Sequence, residues 1–137
     1  MDIKTYLNQI RHLDLLIDSK LEQVNQIRNQ MIYVSPTFGE RVQGSHDPDK
    51  FTNGVAKIIE LEKVINEDID KLVDMKVKAR EIIETLDTVV EKAILYKHYF
   101  EGKSFEDIAV EVNYSLRWVY KIHGDAMDKL SVQFNSL

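Results

Sequence analysis

The chain has 137 residues, with 18 basic and 23 acidic side chains, a net charge of −5 and no cysteine. That length holds one ordinary domain, or a small domain with an extension, and a chain without cysteine has no disulfides and no thiolate metal sites. No apolar run reaches the roughly 18 residues of a membrane span. The opening Asp2-Ile3-Lys4-Thr5-Tyr6 leads straight into an amphipathic pattern rather than a signal peptide, so a cytoplasmic protein is expected.

Residues 2–33 read as one long helix. Ile3, Tyr6, Ile10, Leu13, Ile17, Val24, Ile27 and Met31 recur at steps of 3 or 4, Lys20 falls on a skipped position, and Leu16 and Leu21 widen the stripe. Residues 34–53 break the pattern with both prolines (Pro36, Pro48) and two of the five glycines (Gly39, Gly44). A connector is the plain reading of this loop. Arg41, Gln43, Ser45, His46 and Lys50 would be its contacts to phosphate or to a partner. Residues 52–86 resume the helical period through Val55, Ile58, Ile65, Ile69, Leu72, Ala79, Ile83 and Leu86. Two long amphipathic helices joined by one loop predict an antiparallel hairpin over residues 1–86. Its uncovered apolar edge calls for a cover, either the C-terminal helices or a second copy, and a homodimer built through these helices is the expectation.

Three further helices are predicted over residues 87–99, 104–112 and 115–130. Glu101-Gly102-Lys103 separates the first two and Asn113-Tyr114 the last two. Gly102 follows an apolar run, where a helix stops readily on a residue that takes positive φ. Ser104 caps the next helix, with Asp107 three residues on. Phe105, Ile108, Ala109 and Val112 share one face of it, and small Ala109 suits a close helix crossing. Asn113 is a left-handed turn residue, and Ser115 caps the last helix. There Val119, Ile122, Ala126 and Leu130 point one way; Arg117, Lys121, Gly124 and Asp128 point the other. A helix, a very short turn and a capped second helix outline a helix-turn-helix, whose second helix enters the major groove by its early residues. Arg117 and Lys121 would reach guanine acceptors or phosphates. Trp118 stands at the edge of that face, open to sugar–phosphate or to the neighbouring helix. Ser115, Tyr114 and Lys103 complete the candidate DNA contacts.

These residues carry a resemblance. Tyr99 with Gly102, Ile108-Ala109, Ser115, Val119, and Ala126 with Leu130 resemble region 4 of bacterial sigma factors and phage late-transcription activators of the RinA/ArpU type. A second resemblance covers nearly the whole chain. The long first helix, Arg-Val-Gln-Gly-Ser (Arg41 to Ser45) and Val-Ala-Lys-Ile-Ile (Val55 to Ile59) are similar to small Gram-positive phage and prophage proteins with a region-4-like segment. The resemblance implies phage origin and double-stranded DNA as a partner; the hairpin would then set dimer spacing or contact RNA polymerase.

Charge pulls the other way. Residues 1–85 carry 12 basic and 15 acidic side chains, and residues 86–137 carry 6 and 8, so neither half is basic. Nucleic-acid binding calls for a positive footprint, and here it must be local, made by Arg117 and Lys121 with Lys97 and Lys103. The four histidines (His12, His46, His98, His123) lack metal-ligand spacing, so no metal is expected; His123, near the apolar face, reads as a packed histidine. Glu60, Glu62, Glu67, Asp68 and Asp70 follow a helix surface with no nucleophile or histidine beside them. With no phosphate loop and no catalytic arrangement, neither enzyme activity nor a cofactor is expected.

The sequence therefore predicts an all-α protein in two parts, a helical hairpin over 1–86 for association and a helix-turn-helix over 87–137 that reads DNA to regulate phage transcription, most simply as an activator. Two alternatives stand beside it: a small terminase-like packaging subunit that forms rings, and a polymerase- or sigma-binding module that makes no DNA contact.

Overall fold

The computed structural model describes residues 1–34 and 48–135. It is all-helical, with no strand among the described residues. Helix α1 spans Ile3–Val34 and α2 spans Pro48–Ile83. Helix α3 (Val89–Leu95) runs on into one wide π-helical turn, Tyr96–Phe100. Helices α4 (Phe105–Val112) and α5 (Leu116–Asn135) follow. Arg41, Gln43, Ser45 and His46 lie outside the described residues.

Three element ends differ from the sequence expectation by four residues or more, each for a physical reason. Helix α2 begins at Pro48, before the expected 52. Proline has no N–H to lose at the first helical position and its φ is preset for a helix, while Asp49 in the first turn suits the positive end of the dipole. The expected helix over 87–99 loses its α register at Tyr96, where bonds shift to the fifth residue back, as in Glu101 N–H to Tyr96 O at 3.0 Å. Helix α5 continues past Leu130 to Asn135, because Phe134 finds a partner: its ring lies 5.7 Å from that of Tyr6.

Contacts gather into two compact units. One joins Met1–Asp14 to Lys71–Leu137 and the other is Leu15–Asp70. Buried residues of both long helices keep a seven-residue step: Ile3, Ile10, Ile17 and Val24 on α1, and Ile58, Ile65, Leu72 and Ala79 on α2. That is the repeat of a coiled-coil seam. In the Leu15–Asp70 unit the order of pairing is antiparallel. Lys20 meets Asp68 at 2.5 Å, Arg28 meets Glu62 at 2.7 Å, and a Cβ at Gly54 would lie 3.0 Å from the sulfur of Met31. Lys20 and Asp68 each stand three residues beyond a buried seam position (Ile17 and Ile65), where a coiled coil expects its second apolar residue. Their ion pair, largely shielded from solvent, fixes register at some cost in stability.

The other unit holds two linked cores. Ile3, Leu7 and Ile10 of α1 are fully enclosed, as are Ala79 and Ile83 of α2. Ile94, Ile108, Ala109 and Val119 form a second cluster that joins α3, α4 and α5, ringed by Val90, Phe105, Val112, Leu116 and Ile122.

Lys20→Met leaves the Asp68 carboxylate unpaired and is expected to destabilise by about 1–2 kcal/mol. Lys20→Met combined with Asp68→Leu should recover that loss. Urea unfolding of the wild type, both single variants and the double variant gives the coupling, and additive losses would rule out the pairing as a register device.

Candidate nucleic-acid interface

The second core sets the direction of α5. Val119, Ala126 and Leu130 are fully buried and Met127 nearly so. The positions a half-turn away, Arg117, Lys121, Gly124 and Asp128, are thereby left in solvent. Three residues join α4 to α5, and each has a defined task. Asn113 takes φ 62°, ψ 42°, a left-handed conformation that asparagine tolerates. Tyr114 N–H then closes on Ala109 O at 3.0 Å, as in a Schellman end. Ser115 Oγ accepts from Trp118 N–H at 3.1 Å and starts α5. Upstream, Gly102 (φ 73°) lets the chain leave the π turn, and Ser104 Oγ accepts from Asp107 N–H at 3.1 Å to start α4.

The candidate contacts fall into three groups. Arg117 and Lys121 are exposed, with no carboxylate within ion-pair distance among the described residues. Lys121 Nζ stands 5.9 Å from the Trp118 ring, so this cation leans on an aromatic surface. Tyr114 and Trp118 are half-exposed and share the wall of a cleft of about 510 Å³ with Ile122, across from Thr88 and Val90. Asp125, Asp128 and Lys129 rim it. Lys103 is held apart from both groups: its ammonium bonds Glu111 at 2.6 Å and pairs with Glu101 at 3.4 Å, and the Glu111 bond first of all raises its pKa. Lys97 reaches the same Glu111 at 3.1 Å. The unpaired positive charge of the early α5 face is therefore that of Arg117 and Lys121. A Cβ at Gly124 would meet only open space.

Two features that support this face are absent from the sequence reading. Thr88 and Glu91 form a complete capping box: Glu91 N–H bonds Thr88 Oγ1 at 3.3 Å and Thr88 N–H bonds the Glu91 carboxylate at 3.3 Å. The other oxygen of buried Glu91 accepts from Lys129 at 2.9 Å and so ties the start of α3 to α5. Burial alone would raise the Glu91 pKa; the bonds from Lys129 and Thr88 outweigh it and hold the carboxyl below its usual range. The Thr-x-x-Glu spacing was readable as a helix start.

The second feature is a ring cluster behind the turn. His98 stacks on Phe105 with centroids 4.0 Å apart, Phe105 meets Tyr120 at 5.1 Å and His123 at 4.9 Å, and the Tyr99 hydroxyl and His123 Nε2 share a hydrogen bond at 2.8 Å. His98 Nδ1 lies 2.8 Å from Lys103 O, so it carries the proton and donates. Burial pushes the His123 pKa down to about 4, with the neighbouring His98 and Lys4 adding to the effect. Burial also lowers His98, against its bond to Lys103 O. Tyr99 is pushed up to about 12 by burial. Among the described residues no group of three or more His, Cys, Asp or Glu is placed to hold a metal ion, and no helix is long and apolar enough to cross a membrane. No protein-family model, curated protein or solved structure matches the chain.

Two outcomes follow. Unfolded histidine takes up its proton near pH 6.5, whereas folded His123 resists until about 4. In that window the unfolded state binds more protons, so stability falls as pH drops from about 6.5 and the loss levels off below about 4. His123 contributes on the order of 2 kcal/mol of it. Between pH 7 and pH 5, His123→Gln should lose less stability than the wild type in calorimetry; equal losses would show that other groups govern the acid response. Ser115→Ala should cost about 1 kcal/mol through the lost cap, while Tyr114→Ala leaves that cap intact; thermal unfolding of both variants checks it.

Proposed function

We propose that this chain is a DNA-binding transcriptional regulator of phage type that reads a major groove with the first turns of α5. The observation that carries the reading is the pair Arg117 and Lys121. They lie one turn apart, exposed and without carboxylate partners among the described residues, on the second helix of a pair joined by three residues. Such a helix fits a major groove, and arginine and lysine near its start reach guanine O6 and N7 or phosphate. The Ser115 hydroxyl, whose oxygen caps the helix, keeps its hydrogen for an outside acceptor. Tyr114 and Trp118 flank the pair. Gly124, with open space beside it, keeps the later turn slim where a phosphate backbone would pass. The long helices act as an association hairpin. A second copy supplies a second head, which suits a weak single footprint.

One observation favours a second reading. The cleft lined by Val90, Tyr114, Trp118 and Ile122 is apolar within, and its rim carries Asp125 and Asp128 beside Lys129, whose charge Glu91 offsets. With a net charge of −5, it suits a protein partner such as RNA polymerase better than DNA.

Fluorescence anisotropy against duplexes flanking the coding sequence, with scrambled duplex as control and across a salt series, separates the two. The DNA reading expects selective binding with a negative salt slope. Arg117→Ala/Lys121→Ala should weaken it and flatten the slope by about 2. Wild-type protein that fails to bind any duplex at low salt, while retaining polymerase in a pull-down, would transfer the function to the cleft.

A further inference from the structure

Helix α2 carries a second, exposed apolar stripe beside its buried seam, touched by α1 at its near edge, where Arg28 bonds Glu62. Ile59 and Ile69 are 64% and 38% exposed, Val55 and Val73 are 37% and 52%, and Phe51 and Val77 are 47% and 46%. Along the helix these residues and the intervening Glu62 and Asn66 step by 4, 4, 3, 4, 3, 4 and 4 residues. At about 100° per residue the whole set stays within an arc of about 80°. It stands about 90° round the helix from the buried Ile58, Ile65, Leu72 and Ala79. A stripe of this width has the spacing of a contact face, not of a solvated one.

The spacing of the stripe reads the same in both directions, and two of its four pairs are identical residues. Phe51 and Val77, Val55 and Val73, Ile59 and Ile69, and Glu62 and Asn66 are each centred on residue 64. A two-fold axis across the helix at that level brings each residue level with its counterpart in a second copy, valine facing valine and the isoleucines meeting across the width of the stripe. At the centre it sets the Glu62 carboxylate, one oxygen of which accepts from Arg28 of α1, opposite the Asn66 amide, a donor for the other oxygen. Lys63 and Glu67 on the outer flank are brought toward each other by the same operation. Other arrangements lack this match. Parallel copies would set Glu62 against Glu62, and a one-turn slip would set it against Ile69. On the α1 side Leu21, 44% exposed, joins Asn66 and Ile69 in lining a groove of about 250 Å³, which leaves room for the second copy's side chains.

We infer that this face of α2 docks a second copy of the chain, α2 against α2, antiparallel and centred on residue 64. The inference deepens the two-copy part of the proposed function, on which it rests, and is independent of DNA contact.

Analytical ultracentrifugation over a concentration series tests it. The wild type sediments as a dimer. Ile59→Lys and Ile69→Glu, both at exposed positions, each raise the dimer dissociation constant by about tenfold or more while far-UV circular dichroism stays at the wild-type value. An equimolar mixture of the two recovers the dimer, because the introduced ammonium faces the introduced carboxylate at one contact and Ile59 still meets Ile69 at the other. Because the chain lacks cysteine, Glu62→Cys copies should also cross-link to Asn66→Cys copies faster than either does to itself. A monomeric wild type, a ring of many copies, single variants that dimerise normally, or a mixture that stays monomeric overturns the inference. If Arg117→Ala/Lys121→Ala binds DNA like wild type while the dimer persists, only the reading face fails. If wild type is monomeric and still binds DNA, only this seam fails.

Discussion

Everything that α5 offers to solvent depends on four side chains that stay out of it. Ile94, Ile108, Ala109 and Val119 close on one another with almost no exposure. The small side chain of Ala109 lets α4 approach this core closely. A larger group there would overpack the cluster, at about 1–3 kcal/mol. Because Val119 is locked into this cluster, the rotation of α5 about its axis is fixed. Arg117 and Lys121 then point outward with no freedom to turn in. The polar restraints act in the same direction. The Asn113 turn and the Ser115 cap fix where α5 begins, and the Glu91–Lys129 bond pins its later half to the start of α3.

Electrostatics then decides how much that face can do. In an acidic chain the acids must be kept from cancelling the few useful cations. Here Glu111 draws in Lys97 and Lys103, and Glu91 draws in Lys129. These pairs are mostly surface contacts, each worth little to stability, yet together they consume the cations around the turn and leave Arg117 and Lys121 unpaired. Two free cations make a slight footprint, since counterion release scales with the number of phosphates neutralised. On the proposed reading such a head would gain usable affinity when two are presented together, which would give association a purpose.

The sequence carried the apolar periods clearly, because burial writes itself at steps of 3 and 4. It located all the helices, the left-handed Asn113 and the caps at Ser104 and Ser115, since each of those signals is local. The π turn at Tyr96–Phe100 has no such signal. It arises where His98 and Tyr99 must both be buried in a cluster with Phe105 and His123 from other helices, and tertiary packing overrides the local register. Lys20 looked like an interruption and Asp68 like part of an acidic helix surface, because the two partners lie 48 residues apart. Lys103 looked like an open phosphate ligand until Glu111, eight residues on, was seen to hold it. The extension of α5 to Asn135 likewise depends on Tyr6 at the other end of the chain. What the sequence hides is consistently the partner, not the element.

The outer stripe of α2 bears on what the long helices are for. Helix stability alone does not account for it: Val55, Ile59, Ile69, Val73 and Val77 are all β-branched, and such residues lower helix propensity by restricting χ1. An exposed helical position left to propensity fills with alanine, glutamate or lysine, and outside the stripe Val64 is the one large apolar residue of α2 among the exposed ones described. Nor does the seam with α1 need these residues, because the seven-residue ladder of Ile58, Ile65, Leu72 and Ala79 already serves it. Placed where they weaken the helix and lie outside its seam, they make physical sense as a surface awaiting contact. Their symmetry about residue 64 narrows the partner further. A foreign helix would impose no reversal on the stripe, whereas a copy of the same helix imposes one at every position.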